Sequence, residues 1–146
     1  MNMTSGPTSG TASGTLPTFE GNFQGLNVLM ADDSSTTRRV FQSRLEELGI
    51  RVTEAEDGEV AFSKIRDANG AFDIIFCDIQ MPRMNGYDLC RALNESPWFD
   101  HTPVVMVSTC SDAKAVIRAL KLGADDFIPK PFERDLLVKV IKRVLS

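Results

Sequence analysis

The chain has 146 residues, 42% of them hydrophobic and 25% charged, which is the composition of one ordinary globular domain. Its net charge of −4 argues against a protein that grips nucleic-acid backbone, and no apolar run approaches the roughly 20 residues of a membrane span. Cys77, Cys90 and Cys110 are widely spaced, odd in number and without a CxxC, and no secretory signal opens the chain, so reduced thiols and a cytoplasmic location are expected, with neither a disulfide frame nor a zinc site.

Residues 1–24 differ in kind from the rest: Ser-Gly recurs at 5–6, 9–10 and 13–14, and Thr and Pro fill much of the remainder. Such a stretch buries too little to offset its ordering entropy, and it reads as a flexible tail or linker before a domain spanning 25–146. Phe19 and Phe23 are either exposed there or docked on the domain.

Leu26 to Ala31 is the first strand, ending in Asp32-Asp33 and then Ser34-Ser35, good residues for opening a helix. That helix carries Phe41, Leu45 and Leu48 at helical spacing and stops at Gly49. Ile50 to Ala55 is a short second strand, and Asp57-Gly58 opens a helix with Val60, Ala61 and Ile65 inward. Phe72 to Cys77 is a third strand, an apolar run that meets Asp78 at its carboxyl end; taken alone, Asp78 is as well read as a simple cap as a reactive group. Pro82 and Gly86 force a turn before a third helix over Gly86 to Asn94, with Leu89 and Leu93 inward. Trp98 and Phe99, in the loop that follows, are expected to cover the lower end of the sheet, and His101 has no partner spacing for a metal or a triad. Val104 to Val107 forms a fourth strand ending at Ser108, Asp112 caps a fourth helix that Gly123 ends, and Asp126 to Ile128 is a short fifth strand leading to Lys130-Pro131. Leu136, Leu137, Val140, Ile141 and Val144 mark the last amphipathic helix.

Five strands alternating with five helices through short links demand a parallel sheet with right-handed crossovers and helices on both faces. The expected architecture is an α/β, (βα)5 doubly wound, flavodoxin-like fold with strand order 2-1-3-4-5 and its switch point between strands 1 and 3. That order sets Asp32, Asp33 and Asp78 side by side at the carboxyl edge, with Ser108 and Lys130 on the same edge.

Carboxylates crowded at one edge repel by about 4 kcal/mol per pair at ~4 Å and an effective dielectric near 20. Either one takes a proton or a cation sits among them, and an oxygen-only donor set with an open side suits Mg²⁺. Lys130 adds a fixed positive charge and Ser108 a hydroxyl, so the group forms a socket for a phosphoryl dianion with Asp78 as the oxygen nucleophile.

With these residues in place the chain resembles the receiver domains of two-component response regulators over about residues 25–146. The resemblance rests on the acidic pair Asp32-Asp33, the run Asp-Ile-Gln-Met-Pro-Arg-Met-Asn-Gly from Asp78 to Gly86, Ser108, and Phe127-Ile-Pro-Lys130-Pro131-Phe132. The separations are 45 residues from Asp33 to Asp78, 30 to Ser108 and 22 to Lys130. It implies that Asp78 is the phosphoacceptor, that Asp33, Asp78 and the Gln80 backbone carbonyl ligate Mg²⁺, and that Asp32 acts through metal-bound water. It further implies that Lys130 pairs with Asp78 and then with phosphate, that Ser108 and the Thr109 amide bind phosphate oxygens with Gln80 beside them, and that Lys130-Pro131 is cis. Ser108 and Phe127 form the implied switch, which remodels the surface of the fourth helix, fifth strand and fifth helix. The implied partners are a histidine kinase or histidine phosphotransfer domain and a downstream effector, with a phosphorylation-dependent dimer, no direct nucleic-acid contact and no membrane contact. Such a domain is not an enzyme; it assists only its own phosphorylation and dephosphorylation.

This chain departs from the family's common pattern in carrying Ser at 108, Thr at 109 and Phe at 127. Gln80 and Cys110, two residues after Asp78 and Ser108, hold positions that tune phosphate lifetime in the family, and neither is an acid that orients water, so a moderate to long lifetime is expected. On the fourth helix Lys114, Arg118 and Lys121 form one polar stripe, and the surplus apolar surface is expected at Val116 and Leu120. Thr37, Arg38 and Val40 on the first helix are expected to face an approaching histidine donor. Three other readings compete. An Asp-nucleophile phosphatase of the haloacid dehalogenase type needs a second acid where Gln80 stands; a nucleotide-binding domain needs glycines where Asp32-Asp33 stand; a degenerate receiver acts as an unphosphorylated interaction module.

Overall fold

The computed structural model describes residues 23–146. The elements run β1 (Asn27–Ala31), α1 (Ser35–Glu47), β2 (Arg51–Ala55), α2 (Gly58–Asp67), β3 (Ile74–Cys77), α3 (Gly86–Asn94), β4 (Val104–Ser108), α4 (Ala113–Lys121), β5 (Asp126–Pro129) and α5 (Arg134–Leu145). The five strands are parallel in the order β2-β1-β3-β4-β5, the doubly wound arrangement the alternation predicts.

Period-two alternation divides each central strand between two cores. Leu29, Ala31, Ile75, Cys77 and Met106 face α2, α3 and α4, where Ala61, Ile65, Leu89, Leu93 and Ala119 meet them. Val28, Met30, Ile74, Phe76, Val105 and Val107 face α1 and α5, where Phe41, Leu45, Leu137, Val140 and Ile141 meet them. Phe41 anchors this second layer, with ring centroids 4.9 Å from Phe76 and 5.3 Å from Phe132. Side-chain oxygens start four of the helices: Ser34 accepts from Thr37, Asp57 from Val60, Asn85 from Asp88 and Asp112 from Ala115.

Four local findings refine the sequence reading. Strand β3 begins at Ile74, two residues later than the apolar run suggests, because its ladder with β1 opens at the Val28–Ile74 pair and Asp73 instead accepts the Asn27 amide at 2.7 Å. Phe23 is buried in the α1/α5 core, while Phe19 lies outside the described residues. Trp98 and Phe99 pack on the α2/α3 core, with Trp98 edge-on to Phe62. On α4 the exposed apolar residues are Ile117 and Leu120; Val116 is half-buried, since it sits one step round the helix toward the sheet.

Candidate functional site

The carboxyl edge of the sheet brings the predicted residues together by backbone pairing. The Asp32 amide donates to the Ala55 carbonyl at 3.0 Å, the Asp78 amide to Ala31 at 2.9 Å, and the Lys130 amide to Ser108 at 3.0 Å. Each bond carries its ladder one step further, so Asp32 and Asp78 leave the adjacent strands β1 and β3 at the same height, and Lys130 reaches them from the end of β5, with β4 between. Carboxylate oxygens of Asp32, Asp33 and Asp78 lie within 4.8 Å of one another. Asp32 and Asp78 are buried and Asp33 is exposed, which leaves the cluster one open side.

Lys130 donates to both buried acids, at 2.5 Å to Asp32 Oδ2 and 3.1 Å to Asp78 Oδ2. The remaining Asp32 oxygen accepts the Ser34 amide at 2.8 Å, and Asp78 Oδ1 faces the Gln80 amide at 3.4 Å. Burial pushes the Asp78 carboxyl up, and Asp32 adds to this; Lys130 and the Ser108 hydroxyl pull it down without cancelling the rise. For Lys130, burial works against the charged form, but the Asp32 and Asp78 contacts outweigh it and hold the ammonium above its ordinary value. Three carboxylates against one ammonium leave a negative surplus, and every acidic donor is an oxygen. The cluster therefore fits a hard divalent cation such as Mg²⁺.

Ser108 is buried at the end of β4, and its oxygen accepts the Cys110 amide at 3.1 Å. Thr109 points outward into a groove of 430 Å³ shared with Lys130, Pro131, Phe132 and the α1 residues Thr36, Thr37, Val40 and Arg44. Lys130-Pro131 is cis, as the resemblance implies. Two of the α1 residues expected at this edge, Thr37 and Val40, line the groove. Arg38 does not: it turns toward β2, bonding Glu54 at 2.9 Å and the Asp32 carbonyl at 2.6 Å, because that short route satisfies its guanidinium. Phe127 is half-buried on the α2/α3/α4 face, paired with Met106, while Ser108 pairs with Pro129. Ser108 and Phe127 thus stand one pleat apart on neighbouring strands.

Two arrangements were not foreseen. Arg83, in the loop after β3, pairs with the fully buried Asp57 at the start of α2. Tyr87 lies buried under Arg118, whose guanidinium carbon is 4.2 Å from the ring centroid, and its hydroxyl donates to the Ala115 carbonyl at 3.3 Å. Arg118 is therefore part of an α3–α4 contact and not a plain member of a solvated stripe. Asp57 carried a visible signal as a helix-opening acid; nothing in the spacing pointed to Arg83 or to Tyr87.

Such a fold and edge define a receiver-type α/β domain. The chain matches the response regulator receiver domain family over residues 28–142. It is 38% identical over 122 residues to the chemotaxis protein CheY1 of Helicobacter pylori (strain 26695), covering 83% of this chain and 98% of that protein. It is 33% identical over 122 residues to the 3',5'-cyclic-nucleotide phosphodiesterase regA of Dictyostelium discoideum, where it spans only 15% of the relative's length. The solved CheX–CheY–BeF3–Mg²⁺ complex from Borrelia burgdorferi superposes with a TM-score of 0.77 at 30% identity, over 84% of this chain and 91% of that one. The chain belongs to the response regulator receiver domain family, whose members are the phosphoacceptor domains of two-component signalling. No helix among the described residues is long and apolar enough to cross a membrane.

Proposed function

We propose that Asp78 is the phosphoacceptor and that the surrounding residues hold and read the phosphoryl group. The observation that carries this is the placement of the Asp78 carboxylate at the strand tip, within reach of both the Lys130 ammonium and the Asp32–Asp33 acids. Asp33, Asp78 and the Gln80 carbonyl would hold Mg²⁺ directly, with Asp32 one water further out; bound there, the cation supplies charge neutralisation on the transferring oxygens.

In the transfer, an Asp78 oxygen forms a bond to phosphorus as the bond from phosphorus to the donor's imidazole nitrogen breaks, and the released imidazole takes up a proton. The pocket orients the three phosphoryl oxygens: Lys130 supplies one positive partner, and the Ser108 hydroxyl and Thr109 amide supply hydrogen bonds. Drawing Ser108 toward the phosphate withdraws its oxygen from the Cys110 amide and changes the packing next to β5, where Phe127 responds. The groove between α1 and Lys130–Phe132 suits the approach of a histidine kinase or phosphotransfer domain. The exposed Ile117 and Leu120 on α4 suit an effector or a phosphorylation-dependent second copy. Residues 25–146 would act as the receiver, with 1–24 as a tail or linker, and the domain would catalyse only its own phosphorylation and dephosphorylation.

The test is intact-protein mass spectrometry after incubation with acetyl phosphate and Mg²⁺. One phosphoryl adduct is expected in the wild type and none in Asp78→Asn. Absence of an adduct in both would identify an unphosphorylated interaction module, and an adduct that survives Asp78→Asn would move the acceptor elsewhere.

A further inference from the structure

The segment from Ile79 to Gly86 carries Gln80 past the acid cluster. Its base is closed by the Gly86 amide, which donates to the Ile79 carbonyl at 2.8 Å. Gly86 packs so closely that a Cβ there would fall 2.3 Å from the Asp78 carbonyl oxygen. Its tip is fastened to a different element. Arg83 Nε donates to Asp57 Oδ2 at 2.7 Å, and a second guanidinium nitrogen reaches the same oxygen. Beside it the Gly58 amide donates to the Met84 carbonyl at 3.0 Å, an approach that a Cβ on Gly58, 2.2 Å from that oxygen, would prevent.

Arg83 has a φ of 66°, a left-handed conformation that a long side chain adopts at a cost. Asp57 is an ionised group with no exposed surface. Either feature alone is unfavourable, and each makes sense through the other: the strained backbone aims the guanidinium, and the guanidinium neutralises the buried acid. The same corner of chain also holds the far side of the pocket, since Ala55, two residues before Asp57, accepts the Asp32 amide. One short stretch at the β2–α2 turn thus fixes both the acid on β1 and the loop after β3.

We propose that Arg83 and Asp57 are positioning residues, a latch that holds the 79–86 segment so that the Gln80 carbonyl faces the cation bound by Asp33 and Asp78. This rests on the reading of those groups as metal ligands. Arg83 itself is a cation, and simple electrostatics makes a testable contrast: removing its charge should tighten binding of a divalent ion, whereas losing the latch should loosen it.

The experiment is calorimetric titration with Mg²⁺ alone, paired with amide hydrogen exchange over residues 79–86, on the full chain. Arg83→Gln is expected to weaken Mg²⁺ binding roughly tenfold, the range of an outer-shell substitution, and to speed exchange in that segment. Arg83→Lys should recover part of the loss. Asp57→Asn keeps a good helix cap, because asparagine caps as well as aspartate, and should match Arg83→Gln. The double variant should lose no more than either single one. Unchanged or tighter Mg²⁺ binding in Arg83→Gln overturns the latch. Asp33→Asn is the control: if it leaves Mg²⁺ affinity intact, the metal-site reading itself has failed. If it abolishes binding while Arg83→Gln does not weaken it, only the latch has failed. Because Arg83→Gln leaves the buried Asp57 without its cation, Arg83→Lys, which keeps that charge, is titrated beside it, and the unfolding midpoint of each variant verifies that it is folded.

Discussion

The Lys130 ammonium stands closer to Asp32, at 2.5 Å, than to Asp78, at 3.1 Å. One cation is shared by two buried carboxylates, and a divalent ion entering the cluster competes with it for both. Lys130→Met should therefore bind Mg²⁺ more tightly, by about tenfold or 1.4 kcal/mol, a fraction of the bare charge–charge term because solvent reaches the open side. Phosphorylation by acetyl phosphate should slow in the same variant, since a positive partner for the phosphoryl oxygens is gone. Calorimetry and adduct formation measured together check this; weaker Mg²⁺ binding would show that Lys130 organises the acids rather than competing for them.

Asp78 and Asp57 should give opposite pH dependences of stability in the metal-free protein. Asp78 is raised, first by burial and then by Asp32, so just above the ordinary carboxylate range the folded protein holds a proton that the unfolded chain has released. Stability then falls as pH rises through that interval, and Asp78→Asn removes the fall. For Asp57, burial pushes up, but the Val60 amide and Arg83 outweigh it and hold the carboxyl below the ordinary range. Its contribution is complete above that range and is lost as pH falls through the depressed value, and Asp57→Asn removes that rise. Urea midpoints between about pH 2 and pH 6 measure both; parallel curves for the two variants would contradict the assignment.

The acyl phosphate should last minutes or longer. The Gln80 side chain is exposed and ends in an amide, and Cys110 ends in a thiol, so neither position presents a carboxylate that orients water onto the phosphorus. Gln80→Glu places a base there and should shorten the lifetime about tenfold or more. Decay after removal of the donor provides the measurement, and a wild-type half-life of seconds would refute it.

Phe41→Ala should destabilise the domain by about 3–5 kcal/mol, because the ring is fully buried between Phe76 and Phe132 and its loss leaves a cavity in the α1/α5 layer. Denaturant unfolding checks the size. A loss under about 1 kcal/mol would mean that α1 collapses into the gap.

What could be read from the chain was what periodicity and strand ends encode. The apolar run into Asp78, the Asp32-Asp33 pair after β1 and the glycine at 86 needed only local rules, and topology then placed Ser108 and Lys130 on the same edge. Contacts between loops were not legible. Arg83 meets Asp57 only because its own backbone turns left-handed, and no residue type at 83 signals that. Helix faces were legible to about one residue: Ile117, not Val116, carries exposed apolar surface, since one step along the helix turns a side chain by about 100° and spacing alone does not fix which face meets the sheet. Arg38 was misplaced for a related reason. Glu54, on a neighbouring strand, offers it a closer partner than the open edge does.

Gly86 carries a consequence for how this chain tolerates change. Its α carbon faces the peptide oxygen of Asp78 with no room for a methyl group, so even alanine must push on the peptide unit that bears the candidate acceptor. A mutational library across residues 79–86 should therefore show its sharpest intolerance at a position with no side chain at all. The fidelity of this edge is set by a missing atom, and the gap that preserves it is smaller than any substitution can fill.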